Sequence, residues 1–285
     1  MATLIDLRRR IRSVKNTQQI TKAMKMVSAA KLRRAQDRMF ASRPYAAKLL
    51  QVLSSLATRA NPENHPLLKE KGDQNVELML VTADRGLCGS FNANLIKAAL
   101  HFLDERRNYN LSLHLVGRKG VDYFKKRKYI ITHQYTNIFR QVQFEHAKDI
   151  AQKTIQAYTE GDLDAIYIVY NEFKSTLSQK VVVRRLLPLE KPAEPSAEQT
   201  LDYIYEPDPE TIFDRLLPHY LEFEIFQALL ESSAAEHAAR MAAMDSATRN
   251  AREMIDSLTL TMNKIRQAAI TKEIIEVVSG AEGLA

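Results

Sequence analysis

The stretch ADRGLCGSFN (83–92) has the best claim to chemistry in this chain, because it follows the aliphatic run VELMLVTA (76–83). A glycine turn between a strand and a helix is where α/β proteins cradle phosphate groups. A P-loop needs a glycine loop closed by Lys and a hydroxyl residue, and the chain has no such run. A dinucleotide fingerprint needs three glycines at fixed spacing, and this turn offers Gly86 and Gly89 alone. Two glycines most simply serve a tight strand-to-helix turn, with Ser90 as helix N-cap. Cys88 has no neighbouring His or other base to activate it, so it reads as a small buried residue. The seven histidines (65, 101, 114, 133, 146, 219, 237) show no zinc-ligand spacing, and Glu236-His237 lacks a second His at the zincin distance. Asp84-Arg85, and Asp162 with Asp164, have no evident partner site. The run YFKKRKY (123–129) reads as a solvated helix face rather than a nucleic-acid or lipid contact. The expectation is therefore no catalytic residue, no bound cofactor and no metal.

Charge placement says more. The net charge is +7. Residues 1–60 carry 14 Lys or Arg against Asp6 and Asp37, a net +12, which leaves −5 for the remainder. Like charges so crowded repel unless something anionic answers them. An acidic protein partner is the favoured reading, with nucleic acid behind it. No apolar run approaches a membrane span, and the Arg-rich N-terminus has no signal-like apolar core, so it reads as mature protein. One cysteine excludes an internal disulfide framework and suits a reducing compartment.

Glycine partitions the chain. Six of the eight glycines lie between Gly72 and Gly161, and Gly280 and Gly283 close the sequence. Helices tolerate glycine poorly, so the two ends read as long helices flanking a turn-rich middle. The segments expected are an N-terminal helix over 1–60, a central domain over 74–206 and a C-terminal helix over 209–285. Leu4, Leu7, Ile11, Val14, Ile20, Met24 and Val27 form the first apolar seam, and Pro44 is expected to kink that helix. The second seam is assigned to Met254, Leu258, Thr261, Ile265, Ala268 and Ile275, with a break or bend at Pro218 and alanine-rich packing from Ala228 to Ala251. Both helices join the same domain, one entering and one leaving, so their pairing makes a long antiparallel coiled coil. The middle alternates strands (76–83, 111–116, 129–135, 165–170, 180–187) with helices (90–105, 118–127, 145–160). That is a Rossmann-like α/β layout, a mainly parallel sheet with an antiparallel edge. Residues 188–200 read as an exposed loop.

The blocks IRSVKNTQQITKAMKMVSAAKLRRAQ (11–36), TADRGLCGSFN (82–92), SAAEHAARMAAMDSATRNA (233–251) and IRQAAITKEIIEVVSGAEGL (265–284) resemble the signature segments of the F-type ATP synthase gamma subunit, bacterial type. They occur in family order and span the chain; Ala83-Asp84 departs mildly from the family's more frequent Ser-Asp. The resemblance implies a rotor shaft without a catalytic site. Its coiled coil would penetrate a ring of three alpha and three beta subunits, and its base would sit on the membrane c-ring with an epsilon subunit alongside. It further implies that Lys22, Met24 and Lys25 face the acidic lever loops of beta, and that Arg266, Gln267, Thr271 and Glu273 meet the catch region of beta. Residues 274–284 would turn in an apolar sleeve, and Tyr203, Tyr205 and Glu206 would lie near the c-ring. No nucleic acid is expected, and membrane association arises only through the complex, at the cytoplasmic face of a bacterial inner membrane. The inserted cysteine pair of the chloroplast form is absent.

Overall fold

A computed structural model describes residues 3–57, 65–176, 178–190 and 206–282. The elements are α1 (Leu4–Ala57), β1 (Asn75–Val81), α2 (Phe91–Glu105), β2 (Asn110–Val116), α3 (Arg118–Phe124) and β3 (Ile130–Tyr135), then α4 (Phe144–Thr159), β4 (Ala165–Phe173), β5 (Gln179–Leu187) and α5 (Pro209–Glu282). They form two compact units, residues 1–28 with 241–285 and residues 29–240.

The larger unit is built on a five-stranded sheet in the order β3-β2-β1-β4-β5. The first four strands in that order are parallel, and β5 runs antiparallel to β4 at the edge. β1 is the central strand, buried from Val76 to Val81, which explains its nearly unbroken aliphatic sequence. On α5, residues 228–238 are buried on every side. Its small residues Ala228, Ala234, Ala235 and Ala238 admit neighbours closely, as the alanine run suggested. α1 and α5 continue as helices through Pro44 and Pro218, so the break expected at Pro218 is absent.

In the smaller unit α1 and α5 run antiparallel. Thr21 Oγ1 lies 2.8 Å from Thr248 Oγ1, and Lys25 Nζ lies 2.5 Å from Asp245 Oδ1. The α1 seam follows Leu7, Ile11, Val14, Thr21, Met24 and Ser28. Ile20 and Val27, assigned to it from sequence, are 60% and 56% exposed. Heptad steps from Leu7 reach Thr21 and Ser28, and the apolar neighbours one residue earlier are turned ~100° away. On α5 the seam is Met244, Thr248, Ala251, Ile255, Leu258 and Met262. Leu258 alone was correctly placed; Met254, Thr261, Ile265, Ala268 and Ile275 are exposed.

At the start of α3 the chain requires glycine. Gly117 has φ +95°, and a Cβ there would fall 2.0 Å from the Thr82 carbonyl oxygen. The Thr82 hydroxyl donates toward the carbonyls of Val116 and Gly117 and accepts from the Gly120 amide at 2.8 Å. Gly117→Ala should cost at least about 2 kcal/mol, since neither backbone can yield. Gly86→Ala meets only the end of the Lys119 side chain at 3.8 Å and should stay within about 0.5 kcal/mol. Urea unfolding midpoints of the full chain check the contrast.

Candidate functional site

In a doubly wound sheet, ligands bind outside the carboxyl ends of strands where the chain reverses its winding. Here β1 leads out to β2 and β3 on one side, while β4 lies on the other, so the reversal falls beside β1. The turn that ends β1 is the glycine turn, and α5 occupies it. Arg240 Nε and Nη2 reach the Gly86 carbonyl at 3.3 and 3.2 Å, and Nη2 lies 3.4 Å from that of Arg85. The same guanidinium pairs with Glu236 Oε1 at 2.6 Å, in surroundings almost free of water. Burial pushes the Glu236 carboxyl up, against the lowering effect of Arg240. Burial, then Arg240 and Lys31, pulls His237 down to about 4, so it is neutral at pH 7. One turn before Glu236, Ser232 Oγ accepts from the Asn171 amide on β4 at 3.3 Å.

The turn is organised from within as well. Asp84 accepts from the amides of Arg118, Asn137 and Phe139 at 3.0, 2.8 and 3.2 Å, tying the ends of three strands together. This role is invisible in sequence, where Asp84 has no partner. Cys88 is buried with its thiol pushed up by that burial, and Asn92 donates to its sulfur at 3.1 Å. It packs as the small buried residue the sequence suggested. Ser90 occupies the N-cap position of α2 without a capping bond from its hydroxyl. Beside α5 in this unit lies a cavity of about 380 Å³ lined by Lys31, Arg34, Arg38, Arg140, Ser233 and His237. Four cations around one cavity suit carboxylate or other anionic groups.

The residues assigned to beta-subunit contact from sequence fall in the smaller unit. Lys22 is exposed, Met24 half-buried, and Lys25 bound to Asp245, whose carboxyl is lowered chiefly by that hydrogen bond. Arg266, Gln267, Thr271 and Glu273 are exposed on α5, and the Thr271 hydroxyl donates to the Gln267 carbonyl at 3.0 Å. The two groups sit at different levels. With Lys25 beside Asp245, antiparallel register puts Leu4 level with Ile265–Arg266. Beyond that level α5 runs on without α1 beside it. Ile270, Ile274, Ile275, Val277 and Val278 are accordingly between 48% and 72% exposed. Glu206 is exposed, while Tyr203 and Tyr205 lie outside the described residues.

A family model described as ATP synthase matches residues 3–284. The ATP synthase gamma chain of Solibacter usitatus is 53% identical over 285 residues, covering 99% of each chain. That of Pelotomaculum thermopropionicum is 49% identical over 284 residues, covering 100% of both. The chain belongs to the ATP synthase gamma chain family. Among solved structures, a chain of the Tetrahymena thermophila mitochondrial ATP synthase central stalk and c-ring is similar with TM-score 0.60 and 29% identity. The likeness covers 80% of this chain and 99% of that one. A chain of the Euglena gracilis mitochondrial ATP synthase in rotational state 3 has TM-score 0.67 at 20% identity, over 99% and 94% of the two, and speaks for the fold alone. In this chain the crevice at the glycine turn is closed by the C-terminal helix.

One further group was missed from sequence. Glu77, His114 and His133, on three adjacent strands, each place a metal-ligating atom within 4.8 Å of the others. The signal available was a charged or imidazole side chain in the middle of an aliphatic strand.

The Arg240 clamp makes a direct prediction. Arg240→Ala leaves the Glu236 carboxylate buried without its cation and should cost about 3–5 kcal/mol. Arg240→Lys, lacking the planar fork, should recover only part of the loss. Thermal unfolding of both variants beside wild type gives the test; an unchanged Arg240→Ala midpoint contradicts the role assigned to the clamp.

Proposed function

We propose that the chain is the central rotor shaft of a proton-translocating F-type ATP synthase, coupling rotation of a membrane c-ring to conformational change at catalytic sites carried by beta subunits. The observation that carries this reading is the smaller unit. It is a helix pair whose second strand outruns the first, bearing exposed Ile and Val side chains that need an apolar surround. Family membership agrees with it.

The functional segments are the helix over 1–60, the domain over 74–206 and the helix over 209–285. The chain contributes no catalytic residue. Lys22, Met24 and Lys25 face acidic lever loops of beta, which answer the +12 of residues 1–60. Arg266, Gln267, Thr271 and Glu273 engage a second beta surface, the catch region. Glu206, with Tyr203 and Tyr205, stands toward the c-ring. The partners are three alpha and three beta subunits, one epsilon subunit and the c-ring. No described helix is long and apolar enough to cross a membrane. Attachment at the cytoplasmic face of a bacterial inner membrane then comes through the complex.

The mechanism is differential contact. A shaft without threefold symmetry, inside a ring with it, touches each beta subunit differently at any instant. Each contact biases its site among open, loose and tight states by the difference in interaction energy, no more. Met24→Lys adds a third ammonium between Lys22 and Lys25 on a half-buried position. It should lower proton pumping per ATP hydrolysed in inverted membrane vesicles severalfold, while the complex still assembles. Equal pumping per ATP in variant and wild type contradicts the assigned contact.

A further inference from the structure

The polar group inside the sheet has too few partners for an ordinary core. Glu77 on β1 is 1% exposed and His114 on β2 is fully buried. Glu77 Oε1 lies 3.6 Å from His114 Nδ1, too far for a hydrogen bond. Neither nitrogen of His114 has a partner, nor has Glu77 Oε1 or His133 Nδ1. Ser112, opposite Glu77 in the β1–β2 register and two residues before His114, has an unpartnered hydroxyl too. Orphaned polar atoms so buried lose their hydration with nothing in return. Five in one cluster call for a common explanation.

We propose that Glu77, His114 and His133 form a buried site for one divalent transition-metal ion of the zinc type, held by two imidazole nitrogens and one carboxylate oxygen. The local structure serves such a site. β3 bulges where its register against β2 shifts between Leu113 and His114, so His133 stands opposite His114 while Thr132 is the extra residue. The bulge turns the Thr132 hydroxyl onto Glu77 Oε2 at 2.5 Å, orienting the carboxylate and leaving Oε1 free. Such a hydrogen bond behind a ligand is how metal sites fix their first shell. The Tyr135 ring stacks on His114, centroids 5.4 Å apart and 14° from parallel, and holds the imidazole plane.

A proton serves this cluster less well than a metal. A protonated His114 has two N–H donors and no acceptor within hydrogen-bonding reach of either, whereas a cation uses lone pairs on all three side chains at once. Ligand atoms in a tetrahedral zinc site stand ~3.3 Å apart. Side-chain rotation of His133, the half-exposed member, closes the set from its present 4.8 Å limit. Two nitrogens and one oxygen select zinc, cobalt or nickel over magnesium and calcium. Bound there, the ion ties β1, β2 and β3 together.

The test uses the full-length chain, stripped with chelator and titrated with Co²⁺, then Zn²⁺. A visible d–d band without thiolate charge transfer, saturating at one equivalent and displaced by Zn²⁺, is expected. Thermal unfolding should rise by a few degrees with Zn²⁺ and not with Mg²⁺. His133→Gln and His114→Gln should abolish the band. Thr132→Val, which removes only the support behind Glu77, should weaken Co²⁺ about 10–100-fold. Because His133 is partly exposed, its variant should unfold at the metal-free wild-type temperature, which separates lost binding from lost folding. A wild-type chain with neither band nor zinc-dependent stabilisation overturns the site, and so does a band that persists in His133→Gln.

Discussion

A guanidinium that leaves α5 and lands on the carbonyls of Arg85 and Gly86 makes one mechanical object of a helix and a sheet. Glu236 beside Arg240 supplies the counter-charge that lets the guanidinium sit almost wholly buried. The contact falls where a doubly wound sheet would otherwise receive a ligand. A crevice that elsewhere binds nucleotide is spent here on holding a helix. With α5 unbroken from Pro209 to Glu282, a couple applied to the sheet passes into that helix through buried, hydrogen-bonded contacts rather than through a flexible linker.

Polar contacts of two strengths divide the work. Glu236–Arg240 is buried and costly to break, whereas Lys25–Asp245 has side chains 44% and 36% exposed. An ion pair so wet sets register more than stability. It fixes which residues of α5 stand opposite α1, while in the same unit Arg8, Arg9, Arg12, Lys15 and Lys22 make no described ion pair with α5. Unanswered positive charge and unanswered apolar surface then coincide in one unit, and both are explained by the same surroundings: other subunits.

Much of the fold could be read in the sequence because its signals are local. Aliphatic runs, three of them flanked by glycine, placed all five strands to within a few residues, with the antiparallel edge expected from their layout. The helix seams were half legible. Thr21 and Ser28 hold seam positions with small polar side chains, so an apolar count slipped to Ile20 and Val27. Small residues suit a close helix pair, and hydrophobicity alone cannot show that. Asp84, Arg240 and the Glu77–His114–His133 group were illegible for another reason. Apart from Glu236, four residues before Arg240, their partners lie between 19 and 155 residues away, and only the folded sheet and the helix packed on it bring them together.

The central claim is that this chain turns inside a stationary catalytic ring. Arg107→Cys places a thiol on an exposed side chain, while Cys88 stays buried and unreactive. A bead coupled there, in a complex with alpha and beta subunits fixed to glass, should rotate in one direction while ATP is hydrolysed and stop when ATP is exhausted. Sustained hydrolysis beneath a bead that shows only Brownian motion contradicts the account.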